Sequence, residues 1–354
     1  MEAIEYHDSV MSAVPVDVVD KLKKLLVLIP ATDELARAKR ICEARKTLLE
    51  SERISLETMP YNSTACKHSD TILSAVFWRM KVYLHRKGTD SEFLGDLFIA
   101  LGNAISSTDE MQKELWLTLL FNISRAFIDP DLGAAIRARC TLNQCEKIKL
   151  ATITPDQENY LKEAHNFFKF TLTTLAVRTG LQEFLSDIGL PKDKLESAIT
   201  IGKEMQIKYV TGAMFYGMVG FGKTIYLSFD LNYPDDPTMW QENRALIVIN
   251  IFHEFGHVLI REMIGSNFGA VTPRGKSSGA SALEGGYKME LRIFGAYDRG
   301  VYIEPNCNIL LDKDRWSKLA PIFTGAELSK IHKFKITNYM FSGICPLCSE
   351  PFYK

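Results

Sequence analysis

Two histidines and a glutamate lie within five residues of one another, in the segment His253-Glu254-Phe255-Gly256-His257. Positions i and i+4 fall on the same face of a helix, about one turn apart, so the two imidazoles can bind one metal ion. The carboxylate of Glu254 can then take a proton from a water molecule beside the metal. This H-E-x-x-H spacing therefore predicts zinc-assisted hydrolysis with Glu254 as the general base.

The residues around this segment are apolar from Leu246 to Ile260, where Glu254 is the one acidic or basic residue besides the histidines. A helix with this composition is expected to be buried, because a surface helix carries charged residues on one face. Burying histidines and a carboxylate costs free energy unless a partner satisfies them, and a metal does so. The alternative is a buried helix whose histidines only hydrogen-bond to their neighbours. Gly256 weakens a helix interior by about 1 kcal/mol relative to alanine, which predicts a close approach of a ligand or another backbone there.

A catalytic zinc normally has three protein ligands, so a third ligand must lie elsewhere in the chain. The metzincin extension is excluded, because it needs glycine at position 260 and histidine at position 263, where this chain has Ile260 and Met263. A second helix is predicted after a glycine-rich loop, from Ser281 to Gly295, and it carries Glu284 and Glu290. The two glutamates lie about 240° apart around such a helix, so both cannot point at one metal. Glu284 is the better ligand candidate and Glu290 can support the site from behind, although the position of Glu284 also fits a helix capping box.

The H-E-x-x-H segment followed by E-G-G-x-x-x-E on a second helix resembles the gluzincin branch of the zincin metallopeptidases. The resemblance covers about residues 224–295, under a quarter of the chain. It implies a single catalytic zinc ion bound by His253, His257 and Glu284, with Glu254 as general base.

One position departs from the gluzincin pattern. Gluzincins often carry an acidic residue four positions after the third ligand, which holds a zinc-bound histidine, and here that position is Lys288. Glu290 or a backbone carbonyl is expected to take this role instead. A further donor should stabilise the oxyanion of the reaction, and its candidates are Tyr287, Tyr297, Tyr302, His332 and Tyr339.

The segment before the motif predicts a peptide-binding strand. Thr224–Asp230 alternates apolar residues with Tyr226 and Ser228, which indicates a half-buried strand. A weaker strand is predicted at Ile207–Phe215, with Gly217–Gly222 as the turn between the two. A strand just ahead of the active-site helix is similar to the zincin edge strand, which implies that a peptide or protein substrate pairs along Thr224–Asp230.

The same turn also matches a nucleotide-binding pattern. Residues Gly217–Thr224 satisfy G-x-x-x-x-G-K-[ST], the phosphate-binding loop. Such a loop must lead into a helix whose N-terminus faces the phosphates, whereas the residues after Thr224 alternate as a strand. A glycine-rich hairpin explains the match more simply, and nucleotide binding through this loop is the alternative.

The composition fits a globular enzyme, and the net charge near zero does not favour binding to nucleic acid. The 354 residues are 46% hydrophobic, the net charge is −1 and the isoelectric point is about 6.7. No apolar run approaches the roughly 20 residues of a membrane span, and the residues after Met1 lack the basic and apolar regions of a signal peptide. Seven scattered cysteines, an odd number, favour free thiols in a reducing compartment. A cytoplasmic location is therefore expected.

Four of the cysteines allow a second metal or a redox site. Cys345 and Cys348 have the C-x-x-C spacing of zinc knuckles and redox pairs, and Cys140 and Cys145 are the only other closely spaced pair. The simpler interpretation is that Cys345 and Cys348 are small apolar residues in a terminal turn.

The chain is expected to have an α+β fold that is predominantly helical. An all-helical region is predicted over residues 1–205, as a cover, a regulator or a partner-binding surface, and a zincin-like domain with a short sheet over 206–354. Its predicted helices are Val16–Leu28, Asp33–Leu56, Asp70–Arg86, Ser91–Ser106, Asp109–Phe127, Asp156–Thr179 and Lys192–Lys208. The function that fits best is a zinc peptidase, and the alternative is a zinc-binding scaffold without catalysis, which would have no need of Glu254.

Overall fold

The fold combines many helices with one small mixed sheet, in a computed structural model that describes residues 12–30, 33–55, 69–87, 91–124, 141–213, 215–220, 222–233, 236–263, 285–295 and 306–327. This confirms the predicted class, α+β and predominantly helical. Within these ranges, no helix combines the length and the apolar character that crossing a membrane requires.

The first part of the chain folds into helices around a two-stranded pairing of β1 (Ser12–Ala13) with β2 (Ile54–Ser55). These helices are α1 (Val16–Leu26), α2 (Glu34–Glu50), α3 (Ser69–Lys87), α4 (Ser91–Ser106) and α5 (Glu110–Ser124). The helix predicted at Ser91–Ser106 is confirmed residue for residue. The helix predicted to run to Leu56 ends at Glu50, because Ser51 is extended and its hydroxyl donates to the carbonyl of Leu48.

The helices that follow pack against the two helices of the predicted site. They are α6 (Pro155–Thr171), α7 (Leu175–Asp187) and α8 (Leu195–Glu204). The single helix predicted over Asp156–Thr179 is wrong, because the chain breaks between α6 and α7. At this break the hydroxyls of Thr171 and Thr174 donate to backbone carbonyls, which lets the chain leave the helical path.

Four short strands form a sheet in the order β3-β4-β6-β5. The strands are β3 (Lys149–Leu150), β4 (Gln206–Thr211), β5 (Gly217–Val219) and β6 (Thr224–Ser228), with β4 parallel to β6 and the other pairs antiparallel. The prediction that Thr224–Asp230 is an edge strand is wrong, because β6 is paired on both sides. The predicted turn Gly217–Gly222 contains a strand of its own, and this strand, β5, is the edge.

Both faces of the sheet are covered, which explains why all five residues of β6 are buried rather than alternately buried. On one face Tyr226 joins the apolar cluster of the N-terminal helices, here called the N-terminal cluster. On the other face Ile225 and Leu227 join the cluster of α6 to α8 and the later helices, here called the C-terminal cluster. The sequence pattern alone indicated that β6 has one solvent-exposed face.

The C-terminal cluster begins well before the predicted domain boundary at residue 205. Side chains of α6 to α8, from Tyr160 to Ile201, lie in the same apolar cluster as Phe252 and Phe255. The clusters therefore do not separate at residue 205, because α6 to α8 belong to the C-terminal cluster, whereas Met218 and Tyr226 of the sheet belong to the N-terminal cluster. The assignment of domains over 1–205 and 206–354 stays a prediction.

Two later helices carry the predicted site. After the four-residue helix α9 (Phe229–Asn232), the long helix α10 (Trp240–Met263) contains the H-E-x-x-H segment, and α11 (Gly285–Phe294) packs closely against it. The short helices α12 (Asn306–Leu311) and α13 (Lys313–Lys318) complete the described part, and Trp316 of α13 stacks on Phe252 of α10. Thus α10 is packed on several sides at once, which accounts for its apolar composition.

Candidate metal centre

Helix α10 directs its polar residues to two neighbours. Glu254 and Arg261, which are seven residues apart and therefore on one face, lie against strand β5. His253 lies against α11 on a different face. The site is therefore built between three elements, with α10 in the middle.

The best-defined contact of the site joins His253 to Glu290. The Nδ1 atom of His253 lies 2.6 Å from the Oε1 atom of Glu290, and both side chains are largely buried, with 13% and 7% of their surface exposed. An ionised carboxylate only accepts hydrogen bonds, so Nδ1 carries the proton in this pair. In the neutral ring Nε2 of His253 is then the unprotonated nitrogen, which is the form of imidazole nitrogen that binds metals.

The two histidines have a separation that suits one tetrahedral metal. Their ring centroids are 5.2 Å apart and their planes make an angle of 62°. Two imidazoles that bind one tetrahedral zinc through nitrogens at about 2.0–2.1 Å have centroids about 5 Å apart. The separation of the two rings is thus compatible with both of them binding one metal ion.

Close packing of α11 on α10 depends on glycines. A Cβ atom on Gly256 would lie 2.7 Å from the carbonyl oxygen of Gly285, so only glycine permits this approach. A Cβ atom on Gly286 would overlap Nε2, Cδ2 and Cε1 of His253 about equally, which places Gly286 against the face of the ring. The in-plane lone pair of His253 is not covered by this contact. The predicted close approach at Gly256 is confirmed.

The carboxylate of Glu254 lies against the edge strand. Glu254 is buried, and a Cβ atom on Gly217 would lie 2.6 Å from its Oε1 atom. The first residue of β5 therefore has to be glycine for the carboxylate to reach this position. The sequence analysis missed this role of Gly217, because the residue was assigned to a turn; its only signal was membership of the glycine-rich segment.

A pair of buried asparagines positions the start of β5. Asn250, one turn before Glu254 on α10, donates to the side-chain oxygen of Asn232 at 2.8 Å. The amide of Asn232 in turn donates to the carbonyls of Tyr216 and Ser228. This network ties α10 to the residue just before Gly217. Sequence analysis missed both asparagines, although a polar residue on an apolar helix four positions before Glu254 was the available signal.

Among the oxyanion candidates, Tyr287 is close to the site. Its ring packs edge-on against His253, with centroids 5.0 Å apart. The other candidates, Tyr297, Tyr302, His332 and Tyr339, lie outside the described residues.

The described residues contain no group of three or more histidine, cysteine, aspartate or glutamate side chains arranged to hold a metal. The predicted third ligand, Glu284, lies outside them, one residue before α11 begins. Of the four cysteines considered for a second metal, Cys145 alone is described. It is a buried free thiol whose pKa burial raises to about 12, with a smaller contribution from Glu146, so it is protonated at neutral pH.

The segment that matches a phosphate-binding loop is a β-hairpin. Gly217–Val219 pairs with Thr224–Ser228, so a strand rather than a helix follows Thr224. Lys223 forms an ion pair with Glu204 at the end of α8. The helix N-terminus that a phosphate-binding loop requires does not follow this segment.

Comparison of the chain with protein-family models, with curated proteins and with solved structures gives no match. The functional argument therefore depends on the chemistry of the site.

Proposed function

We propose that this protein is a zinc-dependent hydrolase that cleaves peptide bonds. The observation that carries the proposal is the 2.6 Å contact between His253 Nδ1 and Glu290 Oε1, inside a packed helix pair. A carboxylate that accepts from one ring nitrogen of a metal-binding histidine is the usual support of zinc sites, because it orients the ring and raises its basicity. Glu290 thus supplies the acidic partner that the resemblance led us to expect at the position of Lys288.

The ligands in this proposal are His253 and His257 on α10, with Glu284 completing the set. Histidine nitrogens and one carboxylate are the donor set of a catalytic zinc that keeps one position open. When bound, zinc supplies Lewis acidity, which lowers the pKa of water and polarises a carbonyl group.

Glu254 is the proposed general base. Its buried carboxylate lies against Gly217, next to the face of α10 that carries the histidines. In this position it can accept a proton from water and hand it to the leaving amine. Tyr287, which touches the ring of His253, is the described candidate for a donor to the oxyanion.

The edge strand β5 supplies a reason to favour a peptide as substrate. Among the described strands β5 is at the edge of the sheet, and Glu254 packs against its first residue. An extended peptide can add to a sheet edge through main-chain hydrogen bonds. This arrangement replaces Thr224–Asp230 as the proposed binding strand. A peptide paired with Gly217 would present a backbone amide close to the carboxylate of Glu254.

The first experiment is the zinc content per chain of the purified protein and of the variants Glu284→Ala and His253→Ala. We expect about one zinc per parent chain and a marked loss in both variants. The control is Glu183→Gln, which changes an exposed carboxylate of α7 that pairs with Arg292. If the parent protein binds no zinc even after reconstitution with the metal, the proposal of a zinc-dependent enzyme is contradicted.

Cleavage is tested separately with a pool of unstructured peptides, analysed by mass spectrometry with and without a chelator. Cleavage that the chelator stops and zinc restores is the expected result. Zinc bound at one per chain without cleavage of any peptide would favour the zinc-binding scaffold over the enzyme.

A further inference from the structure

Helix α10 carries a row of polar side chains beside strand β5. Asn250, Glu254 and Arg261 are separated by four and seven residues, which places all three within about 40° of one another around the helix. Glu254 is the middle one of the three, and Gly217 of β5 lies against its carboxylate. The outer two are connected to the backbone on either side of Gly217.

The connection before Gly217 runs through two asparagines. The amide nitrogen of Asn232 donates to the carbonyls of Tyr216 at 3.2 Å and Ser228 at 2.7 Å. Because a carbonyl oxygen only accepts, the nitrogen of Asn232 has to face these two groups, and its oxygen has to face Asn250, which donates to it at 2.8 Å. Both asparagines are buried, so loss of either partner leaves a buried polar group unpaired. This network holds α10 to the residue just before Gly217.

The connection after Gly217 is made by Arg261. Its Nη1 atom donates to the carbonyls of Val219 at 3.2 Å and Gly220 at 3.1 Å. Its Nη2 atom donates to the side-chain oxygen of Asn122, on α5, at 3.3 Å. A planar guanidinium holds several acceptors at fixed angles, which a lysine ammonium does not. Strand β5 is therefore attached at both ends to the helix that carries Glu254.

Between these two attachments, the side chain of Glu254 lies along Gly217. A Cβ atom on Gly217 would lie 2.6 Å from Oε1, 2.8 Å from Cγ and 3.0 Å from Cδ of Glu254. Gly217 is itself buried, so it forms one wall of the space that the carboxylate occupies. Since a displacement of about 1 Å in a catalytic group can cost about 100-fold in rate, the position of this wall matters for a general base.

We infer that Asn250 and Arg261 are positioning residues for the general base. They fix β5 on α10 at both ends, and Gly217 then restricts where the carboxylate of Glu254 can lie. Their effect on the reaction passes through Gly217 and Glu254. This inference rests on the proposed peptidase function and deepens it, because it names the groups that orient the base.

The test measures kcat, KM and zinc affinity of Asn250→Ala beside the parent. We expect kcat to fall about 10- to 100-fold. KM should stay near the parent value, because an oriented base acts in the transition state rather than in binding. Zinc affinity should also stay at the parent level, since the substitution leaves the proposed ligands in place. The matched control is Asn243→Ala on the same helix, whose amide donates to the carbonyl of Met239 at 2.8 Å, and it should keep the parent kcat.

Two further variants keep the test informative if Asn250→Ala folds poorly. Gly217→Ala leaves both attachments intact and adds a methyl group where the carboxylate lies, so kcat should fall while zinc stays bound. Arg261→Lys keeps the cation but loses the planar fork, and kcat should fall by about tenfold.

A double variant separates positioning from general destabilisation. In a Glu254→Gln background the base is already lost, so Asn250→Ala should lower the residual kcat no further. A residue that only stabilises the fold would lower kcat by the same factor in both backgrounds.

The failure of this inference is distinguishable from failure of the proposed function. If the zinc-loaded parent cleaves no peptide, the proposed function fails and this inference fails with it. If the parent cleaves peptides and the folded variants Asn250→Ala and Gly217→Ala both keep its kcat, the peptidase stands and the positioning role is wrong. An equal loss from Asn250→Ala in the parent and in the Glu254→Gln background also overturns it.

Discussion

The N-terminal cluster buries two cations, whereas the C-terminal cluster buries two carboxylates. Arg79 and Lys81 of α3 are 4% and 8% exposed, and Glu254 and Glu290 are 5% and 6% exposed. Each of these groups costs free energy to bury, so each needs partners that offset the loss of water. The partners differ in kind between the two clusters.

The buried cations satisfy backbone groups at helix ends. Arg79 donates to the carbonyl of Phe121 at 2.6 Å, in the last turn of α5, and Lys81 donates to the carbonyl of Ser51, just after α2. Carbonyls at helix C-termini lack intrahelical donors and carry partial negative charge, so a cation suits them. These two residues therefore hold the N-terminal helices together.

The buried carboxylates have different surroundings. Glu290 faces the ring of His253, and Glu254 faces Gly217 on an edge strand. Both carboxylates lie beside residues of the proposed site. The difference supports the proposed function, because the two buried carboxylates lie beside a histidine of the H-E-x-x-H segment and beside strand β5 rather than at helix ends.

The largest effect is expected from Glu254→Gln. Loss of the general base should lower kcat by about 100- to 10,000-fold, while zinc content stays at the parent level. Peptidase assays and zinc analysis on the same preparation measure both quantities. The control Glu196→Gln alters an exposed glutamate of α8 and should change neither. Unchanged activity in Glu254→Gln would remove this residue from the reaction.

The variant Glu290→Gln tests the support of His253. It removes the carboxylate that accepts from Nδ1, and zinc affinity should weaken by about 10- to 100-fold. Competition with a chromophoric chelator measures the affinity, and Glu183→Gln serves as the control because it removes a carboxylate partner of Arg292 on the same helix. Equal zinc affinity in Glu290→Gln and parent would show that the buried pair is only a packing contact.

The variant Arg79→Ala tests the role of a buried cation in the N-terminal cluster. Truncation leaves the carbonyl of Phe121 with one donor fewer and removes a cation over its ring, so the free energy of unfolding should fall by about 2–3 kcal/mol. Urea unfolding measures this loss, with the exposed Lys46→Ala of α2 as control. Zinc affinity should not change. A loss of zinc in the folded Arg79→Ala variant would contradict a purely structural role.

The half-buried His165 predicts a smaller effect that depends on pH. Burial lowers the pKa of His165 from 6.5 to about 4, with a smaller contribution from Lys169, and its ring contacts the hydroxyl of Tyr209 at 2.8 Å. Between these two pKa values the unfolded chain binds the proton and the folded chain does not, so stability falls as the pH falls through this window. The expected loss from pH 7 to pH 5 is about 2 kcal/mol.

The measurement compares urea unfolding of the parent and His165→Gln at pH 7 and pH 5. The difference between the two proteins isolates this histidine from other titrating groups. The His165→Gln variant should lose less stability on acidification than the parent. Identical pH dependence in parent and His165→Gln would show that His165 is not buried as a neutral ring.

Much of the fold could be predicted from the sequence where local patterns decide it. The helix Ser91–Ser106 was predicted residue for residue, and the apolar stretch Leu246–Ile260 predicted as a buried helix lies inside α10. Local capping and periodicity contain the necessary information in these cases. The predicted helix over Asp156–Thr179 failed because threonine hydroxyls compete for backbone carbonyls at the break, which apolar periodicity does not show.

The sheet could not be predicted in the same way. The alternation in β6 indicated a strand, but nothing local in Thr224–Ser228 shows that β4 and β5 pair on its two sides. The short strand β5 lies within the segment Gly217–Thr224 that matches a phosphate-binding loop. Only its pairing with β6 on one side identifies it as an edge strand. Strand order depends on residues far apart in the chain, so a single sequence constrains it weakly.

What the sequence determined by itself is the donor chemistry: two histidines one helical turn apart, a neighbouring glutamate, and glycines that permit close approach. Helical periodicity is a property of the backbone, so this spacing has the same meaning in any fold. The tertiary structure alone decided that Glu290 meets His253, that Gly217 meets Glu254, and that Arg261 meets the end of β5. These pairs lie on different elements, and the packing of α10 against α11 and β5 brings them together.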